Sequence, residues 1–305
     1  MNQFLSFEAS QFPRTNISLE DMKAFQTEAP FVSQAVDLFE EVRKITWVIA
    51  CSMRLDENNQ PREWNRNEAV LGGLMIRSFK LQDAILDQVC KNRLEIADIL
   101  FRCLIETIIN LRFLLSRNTN EQYDEYIKYS LRVEKRLLQH IEENIAQRGH
   151  ELPIETRMKK SASGAIASSG FSLEEEEEAD KRGWGGGIFQ RWRAVGISDY
   201  YFPLFTMPSH AVHGNWQDLI THHVKQDNAF YSPSPEWTRS RPQGLHTATV
   251  FCADCDIEYT RNLLPECDAR TEMISLLEDV VGRTRTAVEG HERFLLESRT
   301  GKSTQ

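Results

Sequence analysis

At 305 residues, with 41% hydrophobic, 27% charged and 10% aromatic side chains, the chain has the composition of one large or two modest globular domains. That composition excludes a disulfide-stapled miniature and an intrinsically disordered chain. Lys and Arg total 36 against 45 Asp and Glu, a net charge of -9, which excludes a globally basic nucleic-acid binder but not a local basic groove.

The first residues show no basic stretch followed by an apolar one, so no secretory signal is expected. Residues 1–30 are expected to form an irregular arm, with one short helix capped by Ser18. From residue 31 onward apolar spacings of three and four recur, while alternating β-branched runs are almost absent, so the fold class is all-α. The first long helix is expected over 31–53, with Val32, Ala35, Val36, Phe39, Val42, Ile45 and Val48 buried, and the cluster Asn58, Asn59, Gln60, Pro61 after it. A second helix is expected over 67–90 and a third over 94–116, joined by Lys91, Asn92 and Arg93. So short a link makes them an antiparallel hairpin, and the third helix, apolar on nearly every side, places that hairpin (about 67–116) at the centre of a multi-helix bundle. The third helix has nearly the length of a membrane span, yet it carries Glu95, Asp98, Arg102, Glu106 and Arg112, which argues for a buried helix and against a membrane partner.

Residues 120–149 read as an amphipathic helix with Tyr123, Tyr126, Ile127, Leu131, Leu137, Leu138 and Ile141 inward, ending at Gly149. An acidic, Gly- and Ser-rich excursion is expected at about 159–187, with the Glu174–Glu178 run as a solvated stretch of no assigned function. Short helices over 192–205, a helix over 208–224, a Pro-, Ser- and Arg-containing loop over 225–245 and two closing helices at 245–264 and 269–298 complete the reading. The whole of 31–298 is taken as one helical domain, followed by a disordered tail at 299–305. The six cysteines, Cys51, Cys90, Cys103, Cys252, Cys255 and Cys267, fall mostly within apolar helical patterns and are expected to be reduced thiols in a cytoplasmic protein.

Two constellations carry chemistry. Asp98, Arg102, Glu106 and Asn110 recur every four residues and form one polar stripe on the third helix. The structural reading of that stripe is an ion-pair network that fixes helix register. The catalytic reading gives Arg102 a planar two-pronged grip on an anionic oxygen and Glu106 a proton or a histidine to hold. Arg77 on the preceding helix and Asn110 are supporting substrate-binding candidates. The second constellation, Ser209-His210-Ala-Val-His213-Gly214-Asn215-Trp216, places two imidazoles three residues apart, with Gly214 allowing a kink and a close approach. His210 and His213, with Ser209 beside them, are candidate acid–base residues, and His213 is equally readable as a packed structural histidine.

Metal chemistry is the lesser reading. Glu106, His210 and His213 would make a site of two imidazoles and a carboxylate, but the spacing is not that of a zinc-peptidase helix. Cys252 and Cys255 have no second cysteine pair and reach a four-ligand zinc site only if the two histidines join them across the fold. No other cofactor is called for, since neither a phosphate-loop nor a dinucleotide fingerprint is present. His222 and His223 are about 100° apart on a helix and are expected at the surface. The loop at Trp237-Thr-Arg239-Ser-Arg241 offers an aromatic and two arginines to phosphates or bases.

The helical hairpin with Arg102-x-x-x-Glu106, followed by Ser209-x-x-x-His213-Gly214, resembles DUF5677, a family of uncharacterised bacterial proteins. The resemblance spans roughly residues 65–225 and points to Arg102, Glu106, Ser209, His213 and Gly214, with no activity attached. More distantly, the helical architecture is similar to HEPN-type proteins, which include dimeric toxin and defence ribonucleases with an Arg-x4-6-His motif. Arg241 and His246 have that spacing, but Pro242 and Gly244 argue against a regular helix there, so the catalytic role is not carried over.

The leading expectation is therefore a phosphate-directed site formed by Arg102, Glu106 and His213, in a metal-independent ribonuclease or an RNA-binding component of a stress or phage-defence system. The alternatives are a non-enzymatic scaffold or ligand-binding module and a metal-dependent hydrolase. By analogy with other helical bundles a homo-oligomer, such as a dimer, is expected; any other protein partner is undefined.

Overall fold

The computed structural model describes residue 12 and residues 14–52, 54–56, 58, 60–171, 183–228 and 230–300. The Glu174–Glu178 run and the residues after 300 lie outside them. The chain is all-α, and its described residues include two small two-stranded hairpins.

Ser18 accepts from the Asp21 N–H and starts a single helical turn, α1 (Leu19–Met22). Its Met22 is buried against α11 (Asp268–Thr300), where Gly290 leaves the room its thioether fills. Helix α2 (Ala29–Ala50) buries Phe31, Ala35, Leu38, Phe39, Val42, Ile45 and Ile49, the three-and-four spacing of a core-facing stripe. It ends before residue 53, and Asn58, Gln60 and Pro61 of the expected turn cluster lie instead in a hairpin of β1 (Arg54–Leu55) and β2 (Pro61–Arg62), with Asn59 outside the described residues. Arg54 ties that hairpin to α10 (Pro242–Leu263), donating to the Tyr259 hydroxyl at 2.9 Å and the Leu263 carbonyl at 3.1 Å.

The central hairpin is α3 (Arg66–Cys90) and α4 (Leu94–Arg117). Asn65 and Glu68 form a reciprocal capping box at the start of α3, and Asn118, at φ 45°, closes α4 in the left-handed conformation that asparagine tolerates. Three residues separate the helices, so they pack antiparallel. Helix α4 buries Leu104, Ile105, Ile108, Ile109, Leu111 and Leu114 between α3 and α10. Truncating one of these to Ala would cost about 2–5 kcal/mol.

Helix α5 (Asn120–Arg148) is tied to the end of α4 by Tyr123, whose buried hydroxyl donates to Asn118 Oδ1 at 2.9 Å. Helix α6 (Pro153–Ser169) folds back along it. Residues 159–169 are therefore helical where the composition suggested an excursion: Pro153 opens the helix, and Ala162, Ile166 and Ser169 recur on its buried face.

The segment from Trp184 to His223 crosses α4 as short pieces: α7 (Ile188–Ala194), α8 (Ser209–His213) and α9 (Trp216–Asp218), joined by 3-10 and π turns. The single helix expected over 208–224 is broken at Gly214, which adopts φ 56°. The expected loop after it contains the antiparallel pair β3 (Val224–Asp227) and β4 (Phe230–Pro233). Helix α10 begins at Pro242, contrary to the expectation that Pro242 and Gly244 would prevent it. A proline at the first helical position gives up an N–H that has no partner there anyway. Among the described residues no helix is long and apolar enough to cross a membrane.

Candidate functional site

The polar stripe of α4 faces the segment that crosses it. The Arg102 guanidinium stands over the Phe205 ring, 3.2 Å from its centroid. Its Nε–H donates to Ser209 Oγ at 3.1 Å and its Nη1 to Glu106 Oε2 at 2.8 Å, while the Ser209 hydroxyl donates to the Phe205 carbonyl at 2.6 Å. The Arg102 side chain is 14% exposed and that of Glu106 42%. Together they clamp the first turn of α8 onto α4. On α7, Arg191 is 5% exposed, stacks on Trp184 and donates to the Trp184 carbonyl at 2.7 Å. Burial pulls its pKa down to about 10, and the charge of Glu106 opposes that fall. Asn110, farther along the stripe, keeps a buried Oδ1 without a hydrogen bond. Arg77 is exposed on α3 and donates to the Thr107 hydroxyl at 3.2 Å.

One turn before Arg102, the stripe enters a cleft of ≈ 370 Å³ between α4, α8, the turn after α9 and the start of α10. Asp98, His210, Asp218 and His222 line it, with Gln217 and Gln243. Burial raises the Asp98 carboxyl to about 6, with help from the charges of Glu95 and Asp218. The Asp98 carboxyl has no hydrogen bond to any described residue.

Local geometry decides how His210 is held. Asn215 Oδ1 accepts from the Asp218 N–H at 3.2 Å, capping α9, so the other end of the amide, Nδ2, faces His210 Nδ1 at 2.5 Å. Nδ2 donates, and the neutral ring therefore carries its proton on Nε2. The left-handed turn at Gly214 is what carries Asn215 back to His210. His222 Nδ1 lies 2.8 Å from the Thr238 hydroxyl and 3.7 Å from Glu95 Oε1. Burial works to raise the Glu95 carboxyl, but bonds from its own backbone and Thr238 and the charge of His222 hold it below the usual range. Asp218 in turn lies 3.2 Å from His223 Nε2.

The structure thus brings Arg102, Glu106 and Ser209 together and turns His210 into the adjoining cleft. His213 does not join them: it is exposed and has no hydrogen bond or ion pair to a described residue. The expected meeting of Arg102, Glu106 and His213 is replaced by Arg102, Glu106 and Ser209: Ser209 and His213 share a helix face, but Arg102 takes the first turn of α8, and His213 lies one turn farther on, at the exposed end beside Gly214. Among the described residues no group of three or more His, Cys, Asp or Glu is placed to hold a metal, including Glu106, His210 and His213. Cys252 and Cys255 are buried in the core on α10, and burial pushes both thiols well up. His222, expected at the surface, lines the cleft because the π turn over Leu219–His223 rotates it inward. Arg241 is exposed at the start of α10 while His246 is buried, its imidazole pulled down to about 4 by burial and by His291. Sequence reasoning passed over Asp218, named Asn215 in the second constellation without a role toward His210, and used Asp98 only as a member of the stripe. The polar neighbours of Gly214 were the available signal.

DUF5677, a family of unknown function, matches residues 68–231, more than half of the chain. The chain belongs to DUF5677. The matched span holds the hairpin α3–α4, the Arg102 clamp and the Asp98, His210 and His222 wall of the cleft. No curated protein and no solved structure matches this DUF5677 chain. The α10 wall of the cleft, with Gln243, lies beyond the family span.

Proposed function

We propose that this DUF5677 protein cleaves RNA by acid–base chemistry in the cleft that Asp98, His210 and His222 line. The observation that carries the reading is the Asp98 carboxyl, raised to about 6 in a solvent-reaching cleft that also holds two imidazoles. The hydroxyls that line the cleft are engaged elsewhere: Thr221 and Thr247 donate to the carbonyls of Gln217 and Gln243 at 2.6 and 2.9 Å. Neither has a base beside it, and Thr238, whose hydroxyl meets His222 Nδ1 at 2.8 Å, lies outside the cleft lining, so the fitting substrate brings its own nucleophile. RNA does. Its 2′-oxygen attacks the adjacent phosphorus as the Asp98 carboxylate takes the hydroxyl proton. His222, paired with Glu95, gives a proton to the departing 5′-oxygen, and His210 Nε2–H donates to the phosphoryl oxygen as charge builds there. The products are a 2′,3′-cyclic phosphate and a 5′-hydroxyl end.

A second reading, a non-catalytic scaffold, is favoured by the Arg102 clamp itself, whose Nε, Nη1 and guanidinium face all have partners. The test is cleavage of labelled RNA by the purified full chain, with chelator present, beside Asp98→Asn and His222→Ala. The catalytic reading expects chelator-resistant cleavage with cyclic-phosphate ends, reduced about 100-fold or more in either variant. No cleavage by folded wild-type protein leaves the scaffold.

A further inference from the structure

The segment joining β4 to α10 alternates in burial over residues 237–241 and ends in extended backbone at Arg241 (φ -121°, ψ 150°). Thr238 is fastened beneath it: its N–H donates to Glu95 Oε1 at 2.9 Å, its carbonyl accepts from the Leu94 N–H at 3.3 Å, and its hydroxyl meets His222 Nδ1. Ser240 is buried and donates to the Val89 carbonyl at 3.2 Å. The residues between them face out, since successive side chains of an extended chain point to opposite sides. Trp237 is 51% exposed, and Arg239 and Arg241 are exposed with no hydrogen bond or ion pair from their guanidinium groups to a described residue. Arg93 sits over the indole of Trp237, 5.1 Å from its centroid. The nearest acidic neighbour in sequence, Glu236, is paired with Lys225 at 2.8 Å. On a chain of net charge -9 this is a local cationic strip with an aromatic at one end. Its other end runs straight into Gln243, Gly244 and Thr247 of the cleft.

We propose that Trp237, Arg239 and Arg241 form a binding strip for single-stranded nucleic acid that leads into the Asp98–His210–His222 cleft. The two arginines take successive backbone phosphates, about 6–7 Å apart as alternate residues of an extended chain are. The open face of Trp237 stacks one base, and Arg93 holds the indole from behind. Because the contacts are to phosphate and to a ring face, recognition is indifferent to sequence. The inference rests on the RNA-cleaving reading for its purpose, though not for its geometry.

Fluorescence anisotropy with a short labelled oligoribonucleotide over a salt series tests it, using full-length Asp98→Asn protein so that the probe survives. In that background Arg239→Gln with Arg241→Gln should weaken binding and reduce the slope of log affinity against log salt by about 1.4, two single-strand phosphate contacts' worth. Trp237→Ala should lose about tenfold in affinity and Trp237→Phe should recover most of it. Single-stranded DNA of the same sequence should bind comparably. Affinities and salt slopes unchanged in all these variants overturn the strip, even if the wild-type protein cleaves RNA. Strip-dependent binding by a protein that cleaves nothing upholds the strip and overturns the catalytic reading alone.

Discussion

Arg102 on α4 donates through Nε to the hydroxyl of Ser209 on α8 at 3.1 Å, and the residue after Ser209 is His210, whose ring lines the neighbouring cleft. The arginine thus positions the imidazole through one backbone step. Its own Nε and Nη1 donors and its guanidinium face are engaged.

The clamp should therefore be measurable as coupling. Arg102→Ala should lower stability by about 1–3 kcal/mol, since it leaves Ser209 and Glu106 without their charged donor. Arg102→Lys should restore little, because an ammonium offers neither the forked Nε and Nη1 geometry nor a planar face for Phe205. In a urea-denaturation double-mutant cycle, Arg102→Ala and Ser209→Ala should show a coupling of about 0.5–1.5 kcal/mol. Additive effects would mean that the contact does not hold the two helices together.

A second prediction concerns the core. Burial raises the Asp256 carboxyl to about 8, while the Thr46 hydroxyl, donating to Oδ2 at 2.5 Å, opposes the shift. The folded pKa lies above the unfolded one, so the folded state holds the extra proton and stability falls as pH rises from about 4 through 8. Asp256→Asn should remove that slope. Its melting temperature should overtake that of the wild type near pH 9 by about 3 °C or more. Parallel melting curves across this range would show that Asp256 ionises without cost.

The hairpin α3–α4 was legible because periodicity, a three-residue link and all-round hydrophobicity agreed, and they fixed both helices to within about a residue. The stripe was legible for the same reason: i,i+4 spacing survives folding. What the sequence could not supply was the partner of that stripe. Ser209 and His213 share a face of α8, so which of them Arg102 meets depends on where that five-residue helix sits along α4, and no periodicity encodes that. His222 was misplaced because a π turn changes the angle per residue that the surface argument assumed. Pro242 was misread as a breaker because its place at the first turn, rather than the interior, depends on where Arg241 leaves the extended strip.

Gly214 and Asn215 form one device. At φ 56° an alanine is strained even though a Cβ there would meet open space, so Gly214→Ala should cost about 1 kcal/mol and Gly214→Asn less. Asn215→Ala removes both the cap on α9 and the donor to His210 Nδ1, freeing the ring to take its other tautomer. Nitrogen-15 NMR of the imidazole should show the Nε2–H form in the wild type and a mixture in Asn215→Ala. An Nδ1–H ring in the wild type would overturn the assignment of His210 as the Nε2–H donor.

Asp98 links catalysis to stability with opposite signs. Its folded pKa, about 6, lies above the usual 3.8, so its contribution to stability is fully present below about pH 4 and is lost as pH rises through about 6. At neutral pH the ionised carboxylate, half-buried beside Glu95 and Asp218, destabilises the fold by an amount on the order of 2 kcal/mol. Asp98→Asn should consequently raise the melting temperature at pH 7 and have little effect at pH 4. The same carboxylate is the base of the proposed reaction, so kcat/KM for RNA should climb as pH rises through about 6, and the variant should lose that limb together with its activity. A variant that is both more stable and inactive is the mark of a residue kept for chemistry at the fold's expense. A variant that is less stable at pH 7, with an unchanged pH profile of cleavage, would place Asp98 among the structural residues of the stripe.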